Sequence, residues 1–173
     1  MADVSKLLPK ILQWEGGYVN DPLDRGGATN MGITLKTWQA VGYDLDADGV
    51  ITAEDIKLLK PEHVQIVLKK NYWDFWKADS INNQSIAEIL VDWLWASGPK
   101  TIRNVQMLLD TTPDGLVGTK TIAAINDRDP EPLHAKIKAA RVDFVDAIIA
   151  RDPTQKRFEL GWKRRIASYN FVA

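Results

Sequence analysis

The sequence predicts a mainly α-helical protein. Along most of the 173 residues, apolar side chains recur every three or four positions, which is the period of a helix with one buried face. No segment shows sustained alternation of apolar and polar residues, and no repeat has the period of a solenoid. The chain is 45% apolar with seven tryptophans, enough for one well-packed domain or for a core with a small appended lobe.

The first predicted helix carries the apolar stripe Val4, Leu7, Leu8, Ile11 and Leu12. Asp3 is a candidate N-cap, and Pro9 must kink this helix or delay its start. The Gly16-Gly17 pair ends it. No period survives over residues 18–33, where Asp, Asn, Gly and Pro predict an ordered loop or a short irregular hairpin.

Cap and turn residues delimit the next three helices. Thr34 caps a short helix that Gly42 closes. Thr52 and Asp55 form a capping-box pattern at the start of another helix. Pro61 suits the first turn of the third, whose apolar stripe runs on to the aromatic residues 72–76.

Residues 86–95 are apolar on nearly every face, which predicts a central buried helix ended by Gly98 and Pro99. Asp92 interrupts this segment. It is either paired and structural or near a functional site, and pairing is favoured because buried charges need partners. Further helices are predicted over 102–109, over 120–125 with Thr119 as cap, over 133–148 and over 158–166. Core packing is the better prediction for Trp76, Trp93 and Trp95.

Composition excludes several classes of protein. A net charge of -1 argues against nucleic-acid binding, and the absence of cysteine excludes disulfides and thiolate chemistry. The sequence contains no run of 18 or more apolar residues, so it predicts no membrane-spanning helix. The first residues lack the basic start and apolar core of a secretory signal peptide, so we expect the protein to be made in the cytoplasm.

One glutamate stands at the predicted end of the first helix. The partial negative charge of a helix C-terminus and burial beside Trp14 would both favour a protonated Glu15, as a general acid requires. Asp21 and Asp24, in the following loop, are alternative second carboxylates, and Thr29 could orient a water. An isolated glutamate is usually only a solvated residue. The cluster is what favours a site.

This segment resembles a known family. The run Trp-Glu-Gly-Gly-Tyr-Val-Asn-Asp-Pro, followed by Asp-Arg-Gly-Gly-Ala-Thr-Asn and Gly-Ile-Thr, is similar to the N-terminal signature of glycoside hydrolase family 108, the N-acetylmuramidases of bacteria and their phages. The resemblance implies a lysozyme-like helical fold with an active-site loop after the first helix. It also implies hydrolysis of the bond between N-acetylmuramic acid and N-acetylglucosamine.

The resemblance implies specific site residues. Glu15 would be the proton donor, with Asp24 and Thr29 as helpers. In phage-type lysozymes the threonine comes one position later, where this chain has Asn30. The implied substrate contacts are Tyr18, Asn20 and Trp73.

The resemblance also predicts the setting of the activity. The partner would be the glycan strand of peptidoglycan, and the chemistry would need no cofactor. A single domain, 1–173, would comprise a catalytic part, 1–98, and a helical part, 99–173. We expect a monomer without stable membrane insertion that acts on the cell wall, as a phage endolysin does after passing through a holin. Two alternatives stay open: a lytic transglycosylase, and a non-catalytic, calcium-dependent wall-binding protein.

A second loop is rich in aspartate. Its residues match positions 1, 3, 5, 7 and 12 of an EF-hand calcium loop, and they are Asp44, Asp46, Asp48, Val50 and Asp55. Gly49 stands at the sharp turn, and the loop also resembles those of dockerin modules. We predict a structural Ca²⁺ site there. The alternative is a solvated acidic turn whose last residues only cap a helix.

The C-terminal part carries two further patterns. Residues 113–122 resemble the turn and helix of small peptidoglycan-binding modules, although an ordinary helical hairpin is an equal alternative. A basic final segment could attract anionic envelope polymers, although such runs are usually solvated faces. Its cations are Lys156, Arg157, Lys163, Arg164 and Arg165.

Overall fold

The computed structural model describes residues 1–20 and 27–173, and it confirms the mainly α-helical fold. The α-helices are α1 (Leu8–Trp14), α2 (Leu35–Val41), α3 (Ala53–Lys57), α4 (Pro61–Leu68), α5 (Gln84–Ser97), α6 (Lys100–Leu108), α7 (Thr119–Asn126), α8 (Pro130–Arg151) and α9 (Glu159–Ser168). Two short strands, β1 (Thr29–Asn30) and β2 (Ile33–Thr34), form an antiparallel pair. Short 3₁₀-helices span Val4–Lys6, Ala78–Ser80 and Pro153–Phe158, and a π-helical turn spans Lys69–Trp73.

The described residues divide into two compact units. One unit is Val4–Asp74, and the other combines Met1–Asp3 with Phe75–Ala173. Within the second unit α5 packs against α8. The catalytic and helical parts predicted at 1–98 and 99–173 stay a prediction.

Local chemistry explains the helix ends of the first unit. Pro9 lies in the first turn of α1 and delays its start, as predicted. The Thr34 side chain accepts a hydrogen bond of 3.2 Å from the Thr37 N–H and caps α2. Gly42 closes α2, and any Cβ there would meet the Trp38 ring at 2.2 Å, so only glycine fits.

The β1–β2 hairpin turns on Met31 and Gly32. Both residues have positive φ, 49° and 77°, as a two-residue turn of the primed type requires. Gly32 adopts this conformation without strain, whereas Met31 must be held in it by the surrounding hydrogen bonds. The conformation of this turn therefore depends on the backbone hydrogen bonds between the two strands that flank it.

The second unit is built around α5, which is buried along most of its length. Arg141 and Arg165 donate hydrogen bonds of 2.6 Å and 2.7 Å to opposite oxygens of the fully buried Asp92. Burial opposes the charged form, but the two guanidinium groups outweigh it and hold the pKa of Asp92 below its ordinary value. The predicted structural pairing of Asp92 is confirmed.

Three local predictions need correction. Leu7, not Asp3, precedes α1, and the Asp3 N–H instead donates to the Gln84 side chain at 2.7 Å. Thr119 is the first residue of α7 and not its cap, which is Gly118. Trp95 is only half-buried because α5 emerges from the core at its C-terminal end. Across the described ranges, no helix is both long and apolar enough to span a membrane.

Candidate active site

Glu15 lies at the C-cap of α1. Its N–H donates to the Leu12 carbonyl at 3.4 Å, and its backbone is already extended, with φ -89° and ψ 143°. The side chain is half-buried. The predicted position at a helix C-terminus is therefore present in the structure.

The chain after Glu15 pairs with the hairpin. Val19 and Thr29 exchange two backbone hydrogen bonds of 2.8 Å and 2.7 Å, and the Met31 N–H donates to the Gly16 carbonyl at 3.1 Å. On its other side Thr29 pairs with Thr34. Thr29 thus pairs on one side with Thr34 of β2 and on the other with an isolated bridge residue, Val19, four positions after Glu15.

Thr29 and Asn30 point to opposite faces because successive residues of a strand alternate. Asn30 is buried and donates from Nδ2 to the Ile56 carbonyl at 2.9 Å. Thr29 is half-buried, with Oγ1 3.4 Å from the Gly27 carbonyl. The role of the Thr29 hydroxyl at the site stays a prediction, while Asn30 ties the hairpin to α3. Sequence reasoning missed this structural role.

The two loop carboxylates lie outside the described residues. Asp24, predicted as a helper of Glu15, and its competitor Asp21 both fall within residues 21–26. Their roles stay predictions.

Tyr72 is a second residue that sequence reasoning missed. It is half-buried on the π-helical turn that continues α4. Burial and then the negative charge of Glu15 raise the pKa of Tyr72 above its ordinary value. The phenol is therefore neutral near pH 7 and lies within electrostatic reach of Glu15. Turns of π-helix occur frequently at functional sites.

The predicted substrate contacts have different environments. Asn20 is exposed, and Tyr18 is 36% exposed with its ring 5.6 Å from Lys57 Nζ. Trp73 has 0% exposure because its side chain fills the core at the π-helical turn. Its substrate role stays a prediction, which this burial does not favour.

The acidic loop brings together three of its five predicted ligands. Carboxylate oxygens of Asp44, Asp46 and Asp48 lie within 4.8 Å of one another. The Gly49 N–H donates to Asp44 at 2.7 Å, and this bond is the main cause that lowers the pKa of Asp44. Crowding by protein atoms, and also the charge of Asp48, raise the pKa of Asp46.

The remaining two predicted ligands are placed differently. The Val50 N–H donates to Asp48 at 2.9 Å. Asp55 is fully buried, and its two oxygens accept from the Leu45 N–H at 2.6 Å and the Thr52 N–H at 2.7 Å. In this structure Asp55 completes the predicted capping box of α3 and is not part of the carboxylate group.

Comparison with known proteins identifies two segments. Residues 8–98 match the sequence model described as glycosyl hydrolase 108, and residues 86–167 match one described as a predicted peptidoglycan domain. A comparison with curated proteins found no match.

A solved structure supports the same assignment over nearly the full length. "Structure of Brucella abortus SagA" superposes with a TM-score of 0.76 at 28% sequence identity, covering 96% of this chain and 90% of that one. Glu15, Thr29 and Tyr72 all lie within the first matched segment. The match favours an enzyme over a non-catalytic wall-binding protein. The chain belongs to the glycosyl hydrolase 108 family and is a glycoside hydrolase that acts on peptidoglycan.

Proposed function

We propose that this enzyme is an N-acetylmuramidase that hydrolyses the bond between N-acetylmuramic acid and N-acetylglucosamine, with Glu15 as its general acid. The observation that carries the proposal is the half-buried Glu15 at the C-cap of α1, followed four residues later by Val19, whose backbone pairs with Thr29 of the hairpin.

The chemistry requires a proton at the leaving oxygen. A glycosidic oxygen leaves poorly unless it is protonated, and Glu15 would supply that proton as the anomeric carbon gains positive charge. Water then attacks that carbon, and the new hydroxyl loses its proton to a base. The Thr29 hydroxyl would orient the water, and Asp24 would steady the cationic centre or accept the proton.

The central experiment is Glu15→Gln, assayed by loss of turbidity of purified sacculi. We expect activity to fall about 10²- to 10⁴-fold, the usual contribution of a positioned acid. Glu54→Gln is the matched control, because Glu54 is an exposed glutamate that pairs with Lys57 on α3. Full activity of Glu15→Gln, with an unchanged melting temperature, would show that another group donates the proton.

Product analysis of the wild-type enzyme identifies the reaction. Hydrolysis leaves reducing N-acetylmuramic acid ends, whereas a lytic transglycosylase would use the sugar's own hydroxyl and leave anhydro ends. Anhydro ends would overturn the hydrolytic mechanism while leaving Glu15 as the acid.

We also propose that the acidic loop holds a structural Ca²⁺ ion. Hard oxygen donors suit this ion, and three carboxylates already converge. Asp44, Asp46, Asp48 and the Val50 carbonyl would hold it, and Asp55, whose two oxygens each accept from a backbone N–H, could join only through a remaining lone pair. A bound ion would offset the mutual repulsion of the carboxylates and would take no part in the chemistry.

A further inference from the structure

An aromatic and cationic stack marks the start of α9. The Arg157 guanidinium lies 4.6 Å from the centre of the Phe158 ring, and that ring lies 5.6 Å from the Trp162 ring at an angle of 31°. Phe158 and Trp162 are four residues apart, so a helical start places them on one face. We call Arg157, Phe158 and Trp162 the aromatic-cationic stack.

The stack is open to solvent. Phe158 is 41% exposed, and the neighbouring Leu160 is 62% exposed. Large apolar side chains that are clustered at the surface, and not scattered singly, mark interaction sites. The exposed rings of the stack therefore suit a partner that has flat apolar faces.

The cations of the basic final segment fall into two groups. Lys163 is neutralised by Asp146 and Glu159, and Arg165 is bonded to Asp92. Within residues 1–20 and 27–173, the other three cations form no salt bridge, and they are Lys156, Arg157 and Arg164. Positive charge is thus left uncompensated on and beside the stack.

We propose that the aromatic-cationic stack is a binding surface for peptidoglycan, distinct in sequence from the Glu15 segment. Pyranose rings present C–H faces that pack on aromatic rings, and peptidoglycan carries carboxylates on its stem peptides that complement the free cations. The stack also lies within residues 86–167, the segment that matches the peptidoglycan domain. The inference rests on the proposed function. It identifies the aromatic-cationic stack as a surface that holds the enzyme on peptidoglycan.

An anionic membrane is a less fitting partner. An interfacial helix buries a long apolar face in the lipid headgroups. The later turns of α9 cannot do so, because Ile166 is buried and Arg165 is held by Asp92. Only the start of α9 offers apolar side chains, which suits a few sugar rings better than a bilayer.

The test measures binding of the full chain to sacculi stripped of attached anionic polymers. Glu15→Gln is the background, so that the bound polymer is not cut, and turbidity is followed in parallel. Cosedimentation then gives the dissociation constant. Cleavage by the background variant would count against the proposed function, whereas unaltered binding by the stack variants would count only against this inference.

Two variants probe the two parts of the surface. We expect Phe158→Ala to weaken binding about tenfold, which corresponds to about 1.4 kcal/mol. Arg157→Glu should weaken it at least as much, and amidation of the sacculus carboxylates should remove this effect of Arg157→Glu. Met107→Ala and Lys136→Glu are matched controls, because Met107 is 56% exposed and Lys136 is an exposed cation of the same unit.

Two outcomes would overturn the inference. One is wild-type affinity in both stack variants at an unchanged melting temperature. The other is unaltered binding to sacculi combined with lost binding to vesicles of phosphatidylcholine and phosphatidylglycerol in equal parts, which would assign the stack to a membrane surface.

Discussion

Asn30 donates a hydrogen bond of 2.9 Å from its side-chain nitrogen to the carbonyl of Ile56, and both residues are buried. This bond joins the hairpin that holds Thr29 to the helix that follows the acidic loop. Because a two-residue strand pair is marginal alone, this anchor is a main determinant of where Thr29 lies.

Replacing Asn30 tests the anchor. Asn30→Ala removes the shorter of the two hydrogen bonds to the buried Ile56 carbonyl and leaves the bond of 3.5 Å from the Leu59 N–H, so we expect the free energy of unfolding to fall by about 1 kcal/mol. We also expect turnover to fall at temperatures where the variant is still folded. Urea unfolding and turbidity assays measure the two effects, with Asn82→Ala, at an exposed asparagine outside the site, as control. Unchanged turnover in a destabilised variant would mean that the anchor serves stability alone.

Glu15 and Tyr72 should show electrostatic coupling. Burial and the charge of Glu15 raise the pKa of Tyr72, so removal of that charge in Glu15→Gln should lower this pKa toward its ordinary value of about 10. Ultraviolet titration of the phenolates measures it, and the difference from Tyr72→Phe assigns the signal. An identical Tyr72 titration in Glu15→Gln would contradict the coupling.

The same raised pKa predicts how stability changes at alkaline pH. The folded state holds the phenolic proton more tightly than the unfolded state, so the contribution of Tyr72 is fully present below about pH 10. It is lost as the pH rises through the higher folded value. Urea unfolding across this range should therefore show a steeper loss in wild type than in Tyr72→Phe. Equal slopes would show that Tyr72 ionises alike in both states.

The buried ion cluster should be costly to break. Arg141→Met removes one of the two partners of Asp92, and we expect a loss of about 3 kcal/mol, at the low end for a broken buried pair because Arg165 remains. Lys163→Met is the surface control, since its pairs with Asp146 and Glu159 are part-exposed and should matter by less than about 1 kcal/mol. Equal losses in the two variants would contradict the role of burial.

Acid should weaken the same cluster. The folded pKa of Asp92 is depressed, so its contribution is present above the unfolded pKa of about 4 and is lost as the pH falls through the lower folded value. Unfolding measured between about pH 7 and pH 3 should show a smaller decline in Asp92→Asn than in wild type. If the free energy of unfolding declined equally in Asp92→Asn and in wild type, groups other than Asp92 would cause the acid sensitivity.

Calcium should stabilise the enzyme if the acidic loop binds it. We expect Ca²⁺ to raise the melting temperature and chelation to lower it, and Asp46→Asn to abolish both shifts, because binding to the folded state alone stabilises it. Asp110→Asn, at a 91% exposed side chain, is the control. Absence of both a calorimetric heat and a melting shift would remove the metal.

Local sequence signals were enough to place most of the helices. Thr34, Gly42 and the Thr52–Asp55 capping box act through neighbours within a few residues, so their patterns were readable. The position of Glu15 followed from the same kind of signal. The family resemblance then supplied the chemistry that no local pattern contains.

Long-range contacts were not readable in the same way. The Asn30 anchor spans 26 residues, and the proximity of Tyr72 to Glu15 joins the end of α1 to the turn after α4. The burial of Trp73 was equally hard to predict, because an aromatic pair at a helix end does not indicate which ring is buried. The partner of Asp92 lies 49 residues further along the chain, so no local pattern identifies it.

The π-helical turn at Lys69–Trp73 determines the direction in which its side chains point about the helix axis. An α-helix advances about 100° per residue, so one residue accommodated in a wider turn rotates everything that follows it about the helix axis. A chain one residue shorter here could close the turn as regular α-helix, and Tyr72 would then face roughly a quarter-turn away from its present direction. A tyrosine in electrostatic contact with Glu15 thus depends on the count of residues in this turn as much as on the identity of the side chain.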